Sequence, residues 1–171
     1  MTTWLPDDFQ APVRLDLPAG HHLRQIREDD LALDYPAVMG SQEGLWSRFG
    51  PVWGWPPADM TVEQDRVDLV RHADEMTRNE SFNYAIFDAE ETALLGCVYI
   101  DPPVADGWDA EICWWVVDDQ VGTEFEAAIV PAVSSWLAEA WLLERPRIVG
   151  RDLSWFEWQT VDKGASSPDS Q

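Results

Sequence analysis

The sequence contains few basic residues, and this shortage excludes several classes of partner. Its 171 residues include 11 lysines and arginines against 32 aspartates and glutamates, and Lys163 is the only lysine. The net charge of −21 repels nucleic acid phosphates and anionic membrane surfaces. The same charge either favours a cationic acceptor, such as an amine, or serves as a solubilising or salt-adapted surface.

Cysteine motifs, metal-ligand spacings and long apolar runs are also absent. Cys97 and Cys113 are the only cysteines, neither belongs to a CxxC pair, and His21, His22 and His72 are scattered. This pattern predicts no metal site and two reduced, buried thiols. No apolar run approaches the roughly 18 residues of a membrane helix. Because the start, MTTWLPDDF, lacks the pattern of a signal peptide, we expect a cytoplasmic protein.

Several enzyme motifs are missing as well. The sequence has no G-x-S-x-G elbow, no Walker loop and no G-x-G-x-x-G fingerprint. These absences give no support to nucleophilic catalysis, to a P-loop or to a dinucleotide-binding fold.

The hydrophobic content, 46%, is sufficient for one folded domain. We predict a single domain over residues 1–162 and a disordered tail over 163–171. Periodicity and turn signals predict the order β-α-α-β-β-β-α-β-β, an α+β domain with a mixed, mostly antiparallel sheet flanked by helices. The predicted strands are 22–28, 82–89, 93–100, 110–117, 145–152 and 153–161. Residues 1–20 are predicted to be an extended lead-in and residues 50–60 a turn-rich loop.

One junction, AEICWWVVDDQVGTEFEAAIV (110–130), joins a buried-looking strand to an amphipathic helix. The apolar pattern of the helix continues to Trp141, and Pro131 is predicted to bend it. Free N–H groups at such a helix start often bind a phosphate. Here Thr123-x-x-Glu126 has the pattern of a capping box, which would satisfy those groups internally. The acidic first turn would also oppose an anion.

Two strand motifs resemble the Gcn5-related N-acetyltransferase (GNAT) superfamily. LLGCVYI (94–100) has a glycine, Gly96, where members commonly carry one, and AEICWWV (110–116) is similar to their fourth-strand motif. The resemblance spans roughly residues 22–152 and implies a GNAT fold shortened at its C-terminus. It implies acetyl-CoA as donor and a primary amine, of a small molecule or a protein N-terminus, as acceptor. It places the cofactor on Trp114, Trp115, Val116, Val117, Val121, Gly122 and Thr123.

The phosphate-binding segment departs from the family pattern Gln/Arg-x-x-Gly-x-Gly/Ala. Anchored on Gln120, the small positions of the pattern fall on Thr123 and Phe125. Anchored on Gly122, they fall on Glu124 and Glu126. The sequence therefore leaves two functions open, an acetyl-CoA-dependent N-acetyltransferase and a non-catalytic GNAT-fold module with weakened or lost acetyl-CoA binding.

The resemblance also indicates candidate site residues, and each has a structural alternative. Glu111 would be the general base, or else a strand glutamate that faces solvent. Tyr99 would be a polar group near the thioester, or else a packed ring with its hydroxyl at the surface. Trp53 and Trp55 would form an aromatic wall for an ammonium group, or else a rigid, packed loop.

Symmetric pairing of the strands around the loop between Asp101 and Asp109 predicts that Cys97 lies opposite Cys113. It sets position 99 opposite position 111, so that Tyr99 and Glu111 share one face. The predicted last strand, 153–161, carries aromatic residues on both faces and would leave an unpaired edge. This predicts a homodimer, unless the segment folds back on its own core.

Overall fold

The computed structural model describes residues 4–165, with side chains as far as Thr160. The strands are β1 (Arg14–Asp16), β2 (His22–Gln25), β3 (Phe82–Phe87), β4 (Leu94–Asp101), β5 (Ala110–Val116) and β6 (Pro146–Ile148). The helices are α1 (Leu31–Gly40), α2 (Gln42–Trp53), α3 (Val62–Thr77), α4 (Glu124–Trp136) and α5 (Trp155–Ala165). Within the described range, no helix combines the length and the apolar character needed to span a membrane.

The six strands form one sheet in chain order. Neighbouring strands are antiparallel from β1 to β5, and β6 joins β5 in parallel. The parallel pair follows from the crossover through α4, which returns the chain to the same end of the sheet. The α+β class and the mixed, mostly antiparallel sheet predicted from the sequence are confirmed.

Helices cover both faces of the sheet. The two faces can be told apart by residue number, because successive side chains of a strand point to opposite sides. α1 and α3 pack on the face of β3 and β4 that includes Asn83. On the other face, the ring of Tyr84 meets Trp136 of α4 at a centroid distance of 4.9 Å. Trp141, in the π-helical turn after α4, meets Phe82 at 4.8 Å. The α4 side is therefore a tightly packed aromatic core.

Gly96 allows β4 and β5 to approach each other closely. A Cβ at this position would lie 2.1 Å from the carbonyl oxygen of Trp115 and 3.0 Å from Cα of Val116. No side chain fits at such distances. The close approach of the two strands therefore requires glycine at position 96, the residue on which the family resemblance partly rests.

The starts of α3 and α4 are both capped by a threonine, and the Thr123 cap of α4 was read from the sequence. Thr61 Oγ1 accepts from the Gln64 N–H at 3.2 Å, and the Gln64 side chain accepts from the Thr61 N–H at 2.8 Å. At α4, Thr123 Oγ1 accepts from the Glu126 N–H at 3.5 Å. Both helices thus begin where a side chain satisfies a free backbone N–H.

The prediction of a last strand over 153–161 is wrong, because this segment forms α5. Ser154 Oγ accepts from the Glu157 N–H at 3.1 Å, and Glu157 Oε2 accepts from the Ser154 N–H at 2.7 Å. This Ser-x-x-Glu capping box stabilises the start of a helix. Trp155 and Trp158 of that helix pack against Phe49 and Trp53 of α2. The homodimer stays a prediction, but the edge strand from which it was argued does not exist.

Two further boundaries differ from the prediction. α2 extends through Gly50–Trp53, where a loop was expected, and ends at Gly54 in the left-handed conformation. The predicted disordered tail begins inside α5, and residues 166–171 of that tail lie outside the described residues.

The predicted pairing of Cys97 with Cys113 is also wrong, by two residues. Cys97 lies opposite Trp115, and Cys113 lies opposite Tyr99. Asp109 does not close the β4–β5 loop symmetrically, because its carboxylate accepts from the backbone N–H of Arg145 at 3.0 Å, ahead of β6. A shift of two preserves the faces, so both cysteines are still on the same side of the sheet.

Candidate functional site: an acidic, aromatic cavity

A cavity of about 880 Å³ lies between α1, α3 and the face of β3, β4 and β5. Five of its lining residues are aromatic: Trp53, Trp55, Tyr99, Trp115 and Trp158. Seven are carboxylic: Asp34, Glu63, Asp65, Asp68, Glu75, Asp101 and Glu111. The basic lining residues Arg71 and His72 are both within ion-pair distance of Glu75, at 3.1 and 3.4 Å. The cavity is therefore suited to a cation with apolar parts.

Trp53 and Trp55, predicted as an aromatic wall, do line this cavity. Trp53 lies edge-on to Trp158 at 5.1 Å and to Tyr99 at 5.9 Å. Trp55 lies 6.3 Å from Trp115. Each tryptophan thus packs on a residue of the sheet or of α5, and the wall is held in place from both sides.

Glu111 faces the cavity but has two side-chain partners. Its Oε2 accepts from Arg147 Nε at 3.2 Å and also from Arg147 Nη2, and its Oε1 accepts from the indole N–H of Trp158. Arg147 is directly opposite on β6 and, like Glu111, is 7% exposed. Because both oxygens are engaged, the general-base role predicted for Glu111 competes with a structural ion pair.

Tyr99 is on the same face as Glu111, as the sequence predicted, but points into the cavity rather than to the surface. Its hydroxyl accepts from the indole N–H of Trp115 at 3.1 Å. Burial raises the pKa of Tyr99 well above its usual value. The phenol therefore stays neutral at physiological pH and is a hydrogen-bond donor to a bound group.

Asp34 and Asp65 form a buried carboxyl pair that the sequence reading missed. They are hydrogen bonded to each other, and burial is the largest cause that raises the pKa of both, that of Asp65 to about 6. A signal was present in the sequence. Asp34 lies between Leu31 and Val38 on the apolar stripe of its helix, where a solvated carboxylate has no place.

β5 extends beyond its pairing with β6. The parallel pairs run only from Ala110 to Ile112, and the residues predicted to hold the cofactor arm, Trp114–Val117, lie past this point. The carbonyl of Trp114 accepts from Arg48 Nη1 at 3.3 Å, and the guanidinium of Arg48 lies 5.0 Å from the ring of Trp155. This end of the β5 edge is thus partly covered by side chains.

The start of α4, predicted to hold the cofactor's pyrophosphate, is engaged by the protein itself. Glu126 Oε2 accepts from the Gly122 N–H at 2.7 Å, and Glu126 Oε1 accepts from the indole N–H of Trp114 at 3.3 Å. The capping residue Thr123 accepts from the Glu126 N–H. Val121 is exposed and Gly122 has a positive φ of 75°. The residues present here fit a pyrophosphate poorly, because a carboxylate already occupies the anion-binding N–H.

Within the described residues, no group of three or more His, Cys, Asp or Glu side chains is arranged to hold a metal ion. Cys97 and Cys113 are both buried, as their positions in strands predicted, and they form no disulfide bond with each other.

No protein-family model and no curated protein matches the sequence. The fold, however, is similar to solved acetyltransferases. The ribosomal-protein-S5-alanine acetyltransferase from Vibrio fischeri has a TM-score of 0.62 at 16% identity, over 90% of this chain and 82% of that one. A putative ribosomal-protein-serine acetyltransferase from Vibrio cholerae has a TM-score of 0.63 at 16% identity, over 98% and 87%.

A third similar structure is the microcin C7 self-immunity acetyltransferase MccE, in complex with acetyl-CoA and AMP. Its TM-score is 0.61 at 13% identity, over 77% of this chain and 73% of that chain. The protein therefore has the GNAT fold that its strand motifs implied.

Proposed function

We propose that the protein is an acetyl-CoA-dependent N-acetyltransferase that acts on a primary amine, of a small molecule or of a protein N-terminus. The observation that carries the proposal is the acidic, aromatic cavity on the β4–β5 face of a GNAT fold. The net charge of −21 attracts a cationic amine to this cavity. The similar structures include the ribosomal-protein-S5-alanine acetyltransferase from Vibrio fischeri, and MccE is in complex with acetyl-CoA.

The acceptor's ammonium must lose a proton before its nitrogen can attack a thioester. Among the seven carboxylic residues that line the cavity, Glu111 and Asp65 are the candidate bases, whereas the neutral phenol of Tyr99 is a hydrogen-bond donor rather than a base. Burial raises the pKa of Asp65 to about 6, towards neutral pH. A base works best when its pKa lies near the operating pH, so Asp65 is better suited to accept a proton than an ion-paired Glu111.

A second candidate function is favoured by the Glu126–Gly122 hydrogen bond. A non-catalytic module that binds a cationic amine would need the cavity but no pyrophosphate site. Glu126 places a negative charge where the pyrophosphate would lie, and the two charges would repel each other. The two candidates share the cavity and differ in whether acetyl-CoA binds.

Calorimetric titration with acetyl-CoA separates them. For the enzyme we expect binding by the wild-type protein and about tenfold tighter binding by Glu126→Ala, since this change frees the Gly122 N–H and removes a charge. The matched control is Glu124→Gln, which removes a charge from the same helical turn and has no such hydrogen bond to release.

The outcomes are distinct. Micromolar binding, together with acetyl-CoA consumption in the presence of a primary amine, supports the enzyme. No heat at millimolar acetyl-CoA, with either the wild type or Glu126→Ala, rejects it and leaves the binding module.

A further inference from the structure

Three polar side chains that are closed off from solvent line one part of the cavity. Asp34 of α1, Asp65 of α3 and Asn83 of β3 are 4%, 1% and 3% exposed. Asp65 Oδ2 and Asn83 Oδ1 accept no hydrogen bond from the described residues. A buried acceptor without a donor destabilises a folded protein, so two of them on one cavity wall indicate a ligand that donates.

The carboxyl pair carries about one negative charge at neutral pH. Burial raises the pKa of Asp34 well above its usual range and that of Asp65 to about 6, so the pair shares a single proton. Asp30, which precedes α1, and Asp68, in the second turn of α3, raise the pKa of Asp34 further. Cys97 of β4 is a buried, neutral thiol.

The arginines beside these flanking carboxylates are engaged in ion pairs. Arg24 pairs with Asp30 at 2.7 Å and with Glu91 at 2.8 Å. Arg71 pairs with Asp68 at 3.3 Å and with Glu75 at 3.1 Å. These ion pairs neutralise the flanking carboxylates rather than the Asp34–Asp65 pair itself.

We infer that Asp34, Asp65 and Asn83 form a subsite for a primary ammonium group on an apolar stem. An ammonium has three N–H donors and no acceptor, which complements one negative charge and two free acceptor oxygens. Apolar residues that line the same cavity and would contact the stem are Ile26, Val38 and Leu69. The inference rests on the proposed function, since the ammonium is taken to be that of an amine acceptor.

The test is a titration of the whole protein, without acetyl-CoA, by tryptophan fluorescence, because Trp53, Trp55 and Trp115 line the cavity. The probe is pentylammonium chloride and its uncharged counterpart is pentan-1-ol, both at pH 7.5. We expect pentylammonium to bind at least tenfold more tightly than pentanol. Asp65→Asn should abolish this difference, whereas Asp74→Asn, an exposed change on the same helix, should preserve it.

A second variant covers the case in which Asp65→Asn does not fold. Asn83→Ala removes one of the two acceptors and should weaken pentylammonium binding several-fold while leaving pentanol binding unchanged. Equal binding of pentylammonium and pentanol, or unchanged binding by both variants, overturns the subsite. Calcium chloride that binds more tightly than pentylammonium also overturns it, in favour of a cation site for metal.

Two sources of the ammonium are distinguished by competition. Displacement of pentylammonium by trialaninamide supports the subsite with a peptide N-terminus as its ligand, and no displacement supports it with a small amine. The binding of pentylammonium is measured without acetyl-CoA, so it does not depend on whether the protein transfers an acetyl group. If pentylammonium binds with the expected selectivity and no acetyl-CoA is consumed, the subsite stands and the proposed enzyme activity fails.

Discussion

Glu111 and Asp65 lie on the wall of one cavity and are both buried, at 7% and 1% exposure, but their surroundings are opposite in kind. Glu111 has Arg147 and the Trp158 indole on its two oxygens. Asp65 has another carboxyl group, Asp34, as its neighbour and one oxygen without a partner. One carboxylate is stabilised by its surroundings, and the other is destabilised by them.

This difference in partners indicates a structural role for Glu111 and a ligand-binding role for the Asp34–Asp65 pair. A buried charge with a complete set of partners fixes the position of the elements that supply them, here β5, β6 and α5. A buried carboxyl pair without a cation costs stability that a bound cation can restore. Substitutions at the two sites should therefore change the stability of the free protein in opposite directions.

The largest effect is expected at Arg147. Arg147→Met leaves Glu111 as an uncompensated buried charge and should destabilise the protein by about 3–5 kcal/mol. Chemical denaturation measures the loss. The double variant Arg147→Met with Glu111→Gln should recover much of it, because no charge is then left unpaired. A loss below about 0.5 kcal/mol for Arg147→Met would contradict the ion pair.

An opposite effect is expected at the carboxyl pair. Asp65→Asn should stabilise the free protein at pH 7.5 by roughly 1–3 kcal/mol, since the amide avoids the cost of a buried carboxylate whose pKa is raised to about 6. A raised pKa means that Asp65 is tolerated better when protonated, so its cost grows as pH rises through the window from about 4 to 6. The advantage of Asn should accordingly shrink between pH 7.5 and pH 5.

The control for this pH dependence is Asp74→Asn, because Asp74 is exposed on the same helix. Its stability relative to wild type should stay within about 0.5 kcal/mol at both pH values. If Asp65→Asn is less stable than wild type at pH 7.5, the carboxyl pair has a partner in solution and the contrast with Glu111 disappears.

The smallest effect is expected at the start of α5, which carries Trp158 to Glu111. Ser154→Ala removes the cap and should cost about 1 kcal/mol. Thr160→Ala, an exposed change later in the same helix, should stay within about 0.5 kcal/mol. Thermal unfolding of both variants compares them, and equal melting temperatures would show that the capping box does not hold α5.

The sequence predicted those parts of the fold that depend on local signals. Gly96, the Thr123 cap and the amphipathic stripe of α4 were read correctly, because each depends on residues close together in the chain. The Ser154-x-x-Glu157 signal is equally local, but the surrounding aromatic residues favoured a strand.

The candidate site was less accessible to sequence reasoning. Tyr99 and Trp53 line one cavity, and strand parity was enough to place Tyr99 on the same face as Glu111, but their roles as site residues stay predictions. Asp34 and Asp65 are 31 positions apart, and nothing local shows that two carboxyl groups on different helices share a proton. The partner of Glu111 was also hidden, because it depends on the register of the parallel β5–β6 pair.

Gly96 also determines which side chains of β4 and β5 lie opposite each other on the cavity face. If Cys97 were opposite Cys113, position 94 rather than 96 would face Val116, and the Cβ of Leu94 would collide with the Trp115 carbonyl. Because Gly96 has no side chain, it fits opposite Val116 and favours the observed register of the two strands. Replacing it would change which side chains of the two strands are neighbours on the cavity face, without substituting any of those side chains.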